Sequence, residues 1–248
     1  MRKAVLMAII PASFLTPFTL SSVNVALPSI GNELKVDAIT LNWIATAFLL
    51  SSAMFLVPFG RLADIKGRRR IFVLGMVIFT VGSLLSGLAF SAEMLIAFRI
   101  LQGIGGAMIF ATGIAILTSI FPLKERGKIL GINVASVYTG LSLGPFFGGI
   151  LTQNFGWRSV FLVNIPIGIF IVILAALKLK AEWADARGES FDFIGSVIYS
   201  LMLLFIMLGF SESNLSFLFT GFSLLLLFIF WESRVDHPYW RSNFSGET

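Results

Sequence analysis

Arg99 is the residue whose setting most demands a chemical explanation. It lies within an apolar run, 94–121, long enough to cross a bilayer, and Gln102 shares its helix face three residues on. A guanidinium inside hydrocarbon is costly unless it meets a partner or a watery cavity, so Arg99 is a candidate for substrate binding or charge coupling. A second reading stays open. Arg99 stands about five residues, roughly 8 Å, from the outer end of its run, within snorkelling reach of the interface. The carboxylates are placed differently: Glu93, Asp192, Glu212 and Glu232 all fall at the edges of apolar runs or between them. A proton-coupled site usually needs a buried carboxylate with a raised pKa, and no run carries one well inside. There is no cysteine, and the single histidine is His237. No metal cluster, cofactor site or nucleophile with a base at workable spacing is therefore expected, and neither is enzymatic chemistry.

Two further stretches have spacing beyond what chance or topology needs. From Gly60 to Arg70 the cations Arg61, Lys66, Arg68, Arg69 and Arg70 are opposed only by Asp64. Gly60 permits a close helix approach and Gly67 a turn conformation closed to other residues. Asp64 can pair with a nearby cation, a contact that can exist in one conformation and be lost in another. From Gly140 to Gly149, Gly140 and Gly144 stand four apart, as do Gly144 and Gly148, and Pro145 interrupts the helix. Such glycines form a groove for another helix's backbone, and the proline bends the span.

The elements that must position these residues are transmembrane helices. The chain is 57% hydrophobic and 12% charged, against roughly 25% charged in a globular domain. Eight apolar runs occur at about 5–28, 41–60, 71–90, 94–121, 128–152, 159–178, 192–210 and 215–231. The first is expected to remain as a span and not to be cleaved as a leader. Lys and Arg resist translocation, so the Gly60 to Arg70 loop is placed in the cytoplasm. Alternation then leaves only Lys35 and Arg158 of the 18 Lys and Arg outside, with Arg99 in a span, and puts both termini in the cytoplasm. That distribution accounts for the net charge of +5 without nucleic-acid binding, which is not expected. Laying Gly60 to Phe72 over Gly149 to Phe161 matches Gly60 with Gly149, Leu62 with Leu151, Gly67 with Gly156, Arg69 with Arg158 and Phe72 with Phe161. Three spans separate the copies, so the second is inverted, the pattern of a 3+3 repeat in a secondary transporter.

At these residues the chain resembles the amino-terminal half of a major facilitator superfamily transporter, in the fourteen-span branch of drug:proton antiporters, from about Ser13 to Pro238. Gly60, Leu62, Asp64, Gly67, Arg68, Arg69 and Arg70 match the superfamily loop signature. Leu95 to Ala107 is similar to the span-4 pattern around its arginine, and Gly140, Gly144, Pro145, Gly148 and Gly149 match the antiporter motif of span 5. Two positions depart from the branch: Thr19 stands where an aspartate is usual, with Ser21 for a threonine, and Phe48 replaces a tyrosine.

The resemblance implies an all-α integral membrane protein, a six-helix inverted-repeat half bundle plus two further spans. Its segments are a transporter half at 1–180, a cytoplasmic linker at 181–191, two accessory helices at 192–231 and a cytoplasmic tail at 232–248. It implies a conformational latch at the loop and a role for Arg99 in coupling or substrate binding. It also implies residence in a plasma or inner membrane, without a cofactor. The expected function is efflux of small amphipathic organic compounds from a midplane site shared with a complementary half or a second copy. Polar candidates for that wall are Thr16, Thr19, Ser22, Asn24, Thr46, Arg99, Gln102, Asn133, Ser136 and Tyr138. The alternative is a non-transporting membrane protein, truncated or acting as a scaffold.

Overall fold

A computed structural model describes residues 2–179 and 181–234. The outermost part of the expected tail, 235–248 with His237 and Arg241, and Lys180 at the expected domain boundary lie outside the described residues. All regular structure among the described residues is helical. It comprises α1 (Arg2–Leu34), α2 (Ala38–Lys66), α3 (Arg68–Gly87), α4 (Ala92–Ile120), α5 (Leu123–Phe155), α6 (Arg158–Leu162), α7 (Asn164–Lys178), α8 (Phe193–Ser211) and α9 (Leu215–Glu232). With α6 and α7 taken together as Arg158–Lys178, these form eight helices long and apolar enough to cross a membrane.

Several helices outrun the apolar stretches that announce them. At 33 residues α1 is about 50 Å long, more than the hydrocarbon thickness, so its polar end at Asn32 and Glu33 continues the helix beyond the apolar run. The sixth span breaks at Val163, and Pro166 follows in the first turn of α7, where a missing N–H costs nothing. Caps set the other limits. Asp37 accepts from the Thr40 N–H at 3.0 Å to start α2, Ser91 from Met94 at 3.3 Å to start α4, and Asp192 from Gly195 at 2.8 Å to start α8. Hydrogen bonding from the Thr40 side chain and backbone holds the Asp37 carboxyl below the usual carboxylate range.

The repeat seen in sequence governs the packing. Gly67 and Gly156 occupy matching positions and both end a helix at positive φ, 115° and 78°. α1 packs along α5, and α2 along α4, the exchange that an inverted repeat requires. Individual pairs obey the same offset of 89, the difference between Gly60 and Gly149. Phe14 of α1 faces Gly140 of α5, and their counterparts Gly103 of α4 and Ser51 of α2 also face each other. Thr19 meets Asn164, and their counterparts Met108 and Gly75 meet in turn.

The two larger of three apolar clusters lie one toward each end of the bundle. One gathers Ile9, Phe72, Met76, Ile116 and Phe121 near the Gly60 to Arg70 loop; the other gathers Ile30, Ile44, Leu95, Trp157 and Phe161 at the far end. The accessory helices α8 and α9 form a hairpin. They approach closely because a Cβ at Gly221 would stand 2.9 Å from the Ile206 nitrogen, and the pair leans on α2, where the Ser200 hydroxyl donates to the Met54 carbonyl at 3.0 Å.

Candidate functional site

The Arg99 site is built by small residues. Gly103 lets the α2 backbone at Phe48 come against α4, and Gly82 lets α3 come within 3.0 Å of where a Cβ would meet Gln102. Arg99 is 0% exposed, its head enclosed among the neighbouring helices. Its Nε donates to the Ile44 carbonyl at 3.1 Å and Nη1 to Gln102 Oε1 at 2.5 Å; Gln102 Nε2 donates onward to the Ser83 hydroxyl at 2.6 Å. The guanidinium carbon sits 4.3 Å from the Phe48 ring centre and 6.0 Å from that of Phe161. Nη2 is buried without a hydrogen-bond partner, and no carboxylate pairs with Arg99 among the described residues. Carbonyl, amide and ring faces thus replace water around this charge, and they tie α2, α3 and α4 together.

The Gly140 to Gly149 stretch seats α5 on α1. Gly140, Gly144 and Gly148 are buried against α1, where a Cβ at Gly144 would lie 2.9 Å from the Phe18 carbonyl oxygen and one at Gly148 would lie 2.8 Å from Ser22 Cα. The contact is stitched by hydroxyls: Ser22 donates to the Gly144 carbonyl at 2.9 Å, Ser136 to the Ile10 carbonyl at 2.8 Å, and Ser13 to Asn133 Oδ1 at 2.7 Å. Thr19 donates to the Leu15 carbonyl at 2.8 Å and to Asn164 Oδ1 at 3.0 Å. Thr19 and Asn133 are thus interior residues between helices, while Thr16 is buried against its own helix. On the other side of α5, Tyr138 is 64% exposed, with Val134 and Pro145 exposed near it; Phe146 and Phe147 are exposed further round the helix, and Asn24 of α1 is also exposed. Gly149 borders Val25 at 3.9 Å, ordinary contact. The structure therefore sorts the polar candidates into an inner layer, with Arg99, Gln102, Thr19 and Asn133, and two separate exposed positions, Asn24 and Tyr138.

The Gly60 to Arg70 stretch, expected as a loop, is helical except at Gly67, where α2 ends and α3 begins, and it is densely bonded. Asp64, in the last turn of α2, accepts from Arg68 Nε at 2.8 Å. Arg68 also pairs with Asp185 at 2.6 Å and donates to the Ser119 hydroxyl at 2.7 Å. Gly60 has room against Ala111, at 3.8 Å, and Arg69 Nη2 donates to the Ala176 carbonyl at 2.9 Å. Beside it opens a cavity of about 420 Å³ lined by Arg68, Thr118, Ser119, Arg126, Trp183 and Asp185. At the opposite end, Glu33 accepts from Trp157 Nε1 at 2.9 Å and from Arg158, and Arg158 Nη2 donates to the Ala89 carbonyl at 3.0 Å. Arg69 and Arg158 are repeat partners, and each closes on a backbone carbonyl near the end of another span. Sequence reasoning gave no role to Glu182, Asp185, Glu189 or Ser83; the clue for the acids was the opposite sign of the stretch they meet.

A helical bundle of inverted repeats, with buried polar groups braced between spans, defines a multi-pass membrane protein of transporter architecture. The model of the Major Facilitator Superfamily matches residues 9–191, and the chain belongs to that superfamily. Among curated proteins it is 34% identical over 246 residues to the riboflavin transporter RibZ of Clostridioides difficile, covering 96% of this chain and 54% of that protein. It is 36% identical over 178 residues to the multidrug resistance protein Stp of Mycobacterium tuberculosis, covering 71% of this chain and 33% of that protein. To the cephamycin export protein CmcT of Amycolatopsis lactamdurans it is 38% identical over 208 residues, covering 82% of this chain and 42% of that protein. The chain spans about half or less of the length of these relatives.

Proposed function

We propose that this chain forms one half of an exporter of small amphipathic organic compounds, of the fourteen-span type, and acts together with a complementary half or a second copy. The observation that carries the reading is the division of α5. One side is locked onto α1 by Gly140, Gly144 and Gly148, while Tyr138 stays open on the other with Val134 and Pro145; Asn24 of α1 is open about three helical turns further along the pair. Aromatic surface with isolated hydrogen-bonding groups suits ligands that are mostly apolar, and a half bundle supplies one wall of a midplane site. The names of relatives support export of organic molecules: two are a multidrug resistance protein and a cephamycin exporter, and a third is a riboflavin transporter.

In this reading Asn24 and Tyr138 touch substrate. Arg99, Gln102, Thr19 and Asn133 hold the wall in shape, and Asp64 with Arg68 and Arg69 forms the switch at the cytoplasmic end. Arg2 pairs with Glu125 at 3.4 Å at that same end, which this reading places in the cytoplasm. Since no carboxylate lies deep in these spans, a titrating group for proton coupling comes from the complementary half. The direct test is binding of ethidium, an amphipathic cation, to the purified chain in detergent. Saturable binding weakened about tenfold by Tyr138→Ala supports the reading. Saturable binding that Tyr138→Ala and Asn24→Ala leave unchanged contradicts the assignment of this face, and no binding favours a non-transporting scaffold.

A further inference from the structure

Residues 181–191 contain no helix, yet they are held closely against the Gly60 to Arg70 loop. Two backbone bonds join the segments: the Arg68 N–H donates to the Trp183 carbonyl at 2.8 Å, and the Ala186 N–H to the Asp64 carbonyl at 3.0 Å. Each linker acid then meets the loop. Glu182 accepts from the Arg69 N–H at 2.9 Å and lies 3.6 Å from Arg70 Nε. Asp185 pairs with Arg68 at 2.6 Å, and Glu189 pairs with Arg61. Trp183 packs on the apolar cluster at this end of the bundle, and Ala186 is only 7% exposed. Three residues beyond Glu189, Asp192 caps α8 and also accepts from Trp231 Nε1 of α9 at 2.9 Å. An unbroken series of contacts therefore runs from the loop between α2 and α3 to the accessory hairpin.

We propose that residues 181–191 are a charge-held strap that fixes the α2–α3 loop in one arrangement, ties the accessory helices α8 and α9 to it, and must loosen when the loop changes partners. The last clause rests on the loop being the switch of the transporter reading above. Arg68 shows why loosening is needed. Three of its five N–H groups go to Asp64, Asp185 and Ser119, so an acid arriving from another segment competes with partners already in place. Asp185 is the most exposed of its acidic partners and leaves first. Partly exposed ion pairs are individually weak, which suits a strap that has to release repeatedly. The accessory helices anchor the far end of the strap, which gives them a role in the switch without any contact to substrate.

The chain has no native cysteine, so one can be introduced as a unique reporter. Ala186→Cys is placed in the otherwise unchanged chain, and its reaction with a membrane-impermeant maleimide is timed in inverted membrane vesicles, with Ser190→Cys as the exposed reference. Slow labelling at 186 relative to 190 is expected. Arg61→Glu or Glu189→Arg should each accelerate it about tenfold, and the double reversal should return it to within about twofold of the starting rate. Reversals that leave the rate unchanged, or a double reversal that fails to restore it, overturn the strap. Should Arg61→Glu fail to insert, Glu189→Arg alone decides, since it lies outside every span. Hydrogen exchange at Phe193 to Ser196, the first turn of α8, should rise in the Glu189→Arg chain; unchanged exchange there refutes the tie to the accessory hairpin. Neither readout involves transport, so failure of the strap and failure of the exporter reading are separable.

Discussion

The seating of α5 on α1 makes Gly144 the position where one added side chain should do most harm. A Cβ there would collide with the Ser21 hydroxyl and stand 2.9 Å from the Phe18 carbonyl oxygen, a backbone atom that moves only if α1 moves. Gly144→Val adds two more carbons at that point. Overpacking a close interface costs about 1–3 kcal/mol. Forcing the helices apart also lengthens the 2.9 Å bond from Ser22 to the Gly144 carbonyl, and interhelical bonds in membrane proteins average about 0.6 kcal/mol. The expected loss is about 2–4 kcal/mol. Gly149→Ala is the matched control, because its Cβ would meet only Val25 Cγ1 at 3.9 Å. Unfolding of the purified chain by dodecyl sulfate in mixed micelles, followed by far-ultraviolet circular dichroism, measures both. Near-equal stabilities for Gly144→Val and Gly149→Ala would refute the claim that buried glycines seat these helices.

Three other outcomes follow from named contacts. Arg99→Ala strands the Gln102 carbonyl and opens a cavity beside Phe48, so it should destabilise by about 1–3 kcal/mol, and Arg99→Lys should recover little because one ammonium cannot reproduce the fork; the same sodium dodecyl sulfate titration checks both. Thr19→Val removes the donor to Asn164 at 3.0 Å and should cost about 1 kcal/mol, whereas adding Asn164→Leu should recover part of that loss, a double-mutant cycle in the same assay. The lowered pKa of Asp37 means that its stabilising contribution is complete at neutral pH and disappears as the pH falls through its depressed value; the melting difference between the parent and Asp37→Ala should therefore shrink in acid.

The spans were legible because hydrophobicity over about 20 residues is a strong signal, and the inverted repeat because Gly67 and Gly156 have a backbone reason to persist at matching places. Helix ends were less so. Nothing in Asn32 or Glu33 shows that α1 continues through them, since a helix is free to extend past the hydrocarbon. For the candidate site, residue type was visible and direction was not. Thr19, Asn24 and Asn133 are alike as polar positions in apolar helices, yet Thr19 and Asn133 bond to neighbouring helices while Asn24 faces outward. A helix with neighbours on several sides has no single buried stripe from which orientation can be read. The strap was harder still, because Asp185 and Arg68 are 117 residues apart and only the fold brings them together.

Transport itself gives the most direct test of the central claim. The chain would be co-expressed, in cells stripped of their own exporters, with the remaining portion of the riboflavin transporter relative, and ethidium efflux followed by fluorescence after loading and energising. Efflux that needs both pieces, and that falls at least about tenfold with Tyr138→Ala while the protein remains inserted, is the result this account expects. Efflux fully retained with both Tyr138→Ala and Asn24→Ala would contradict it.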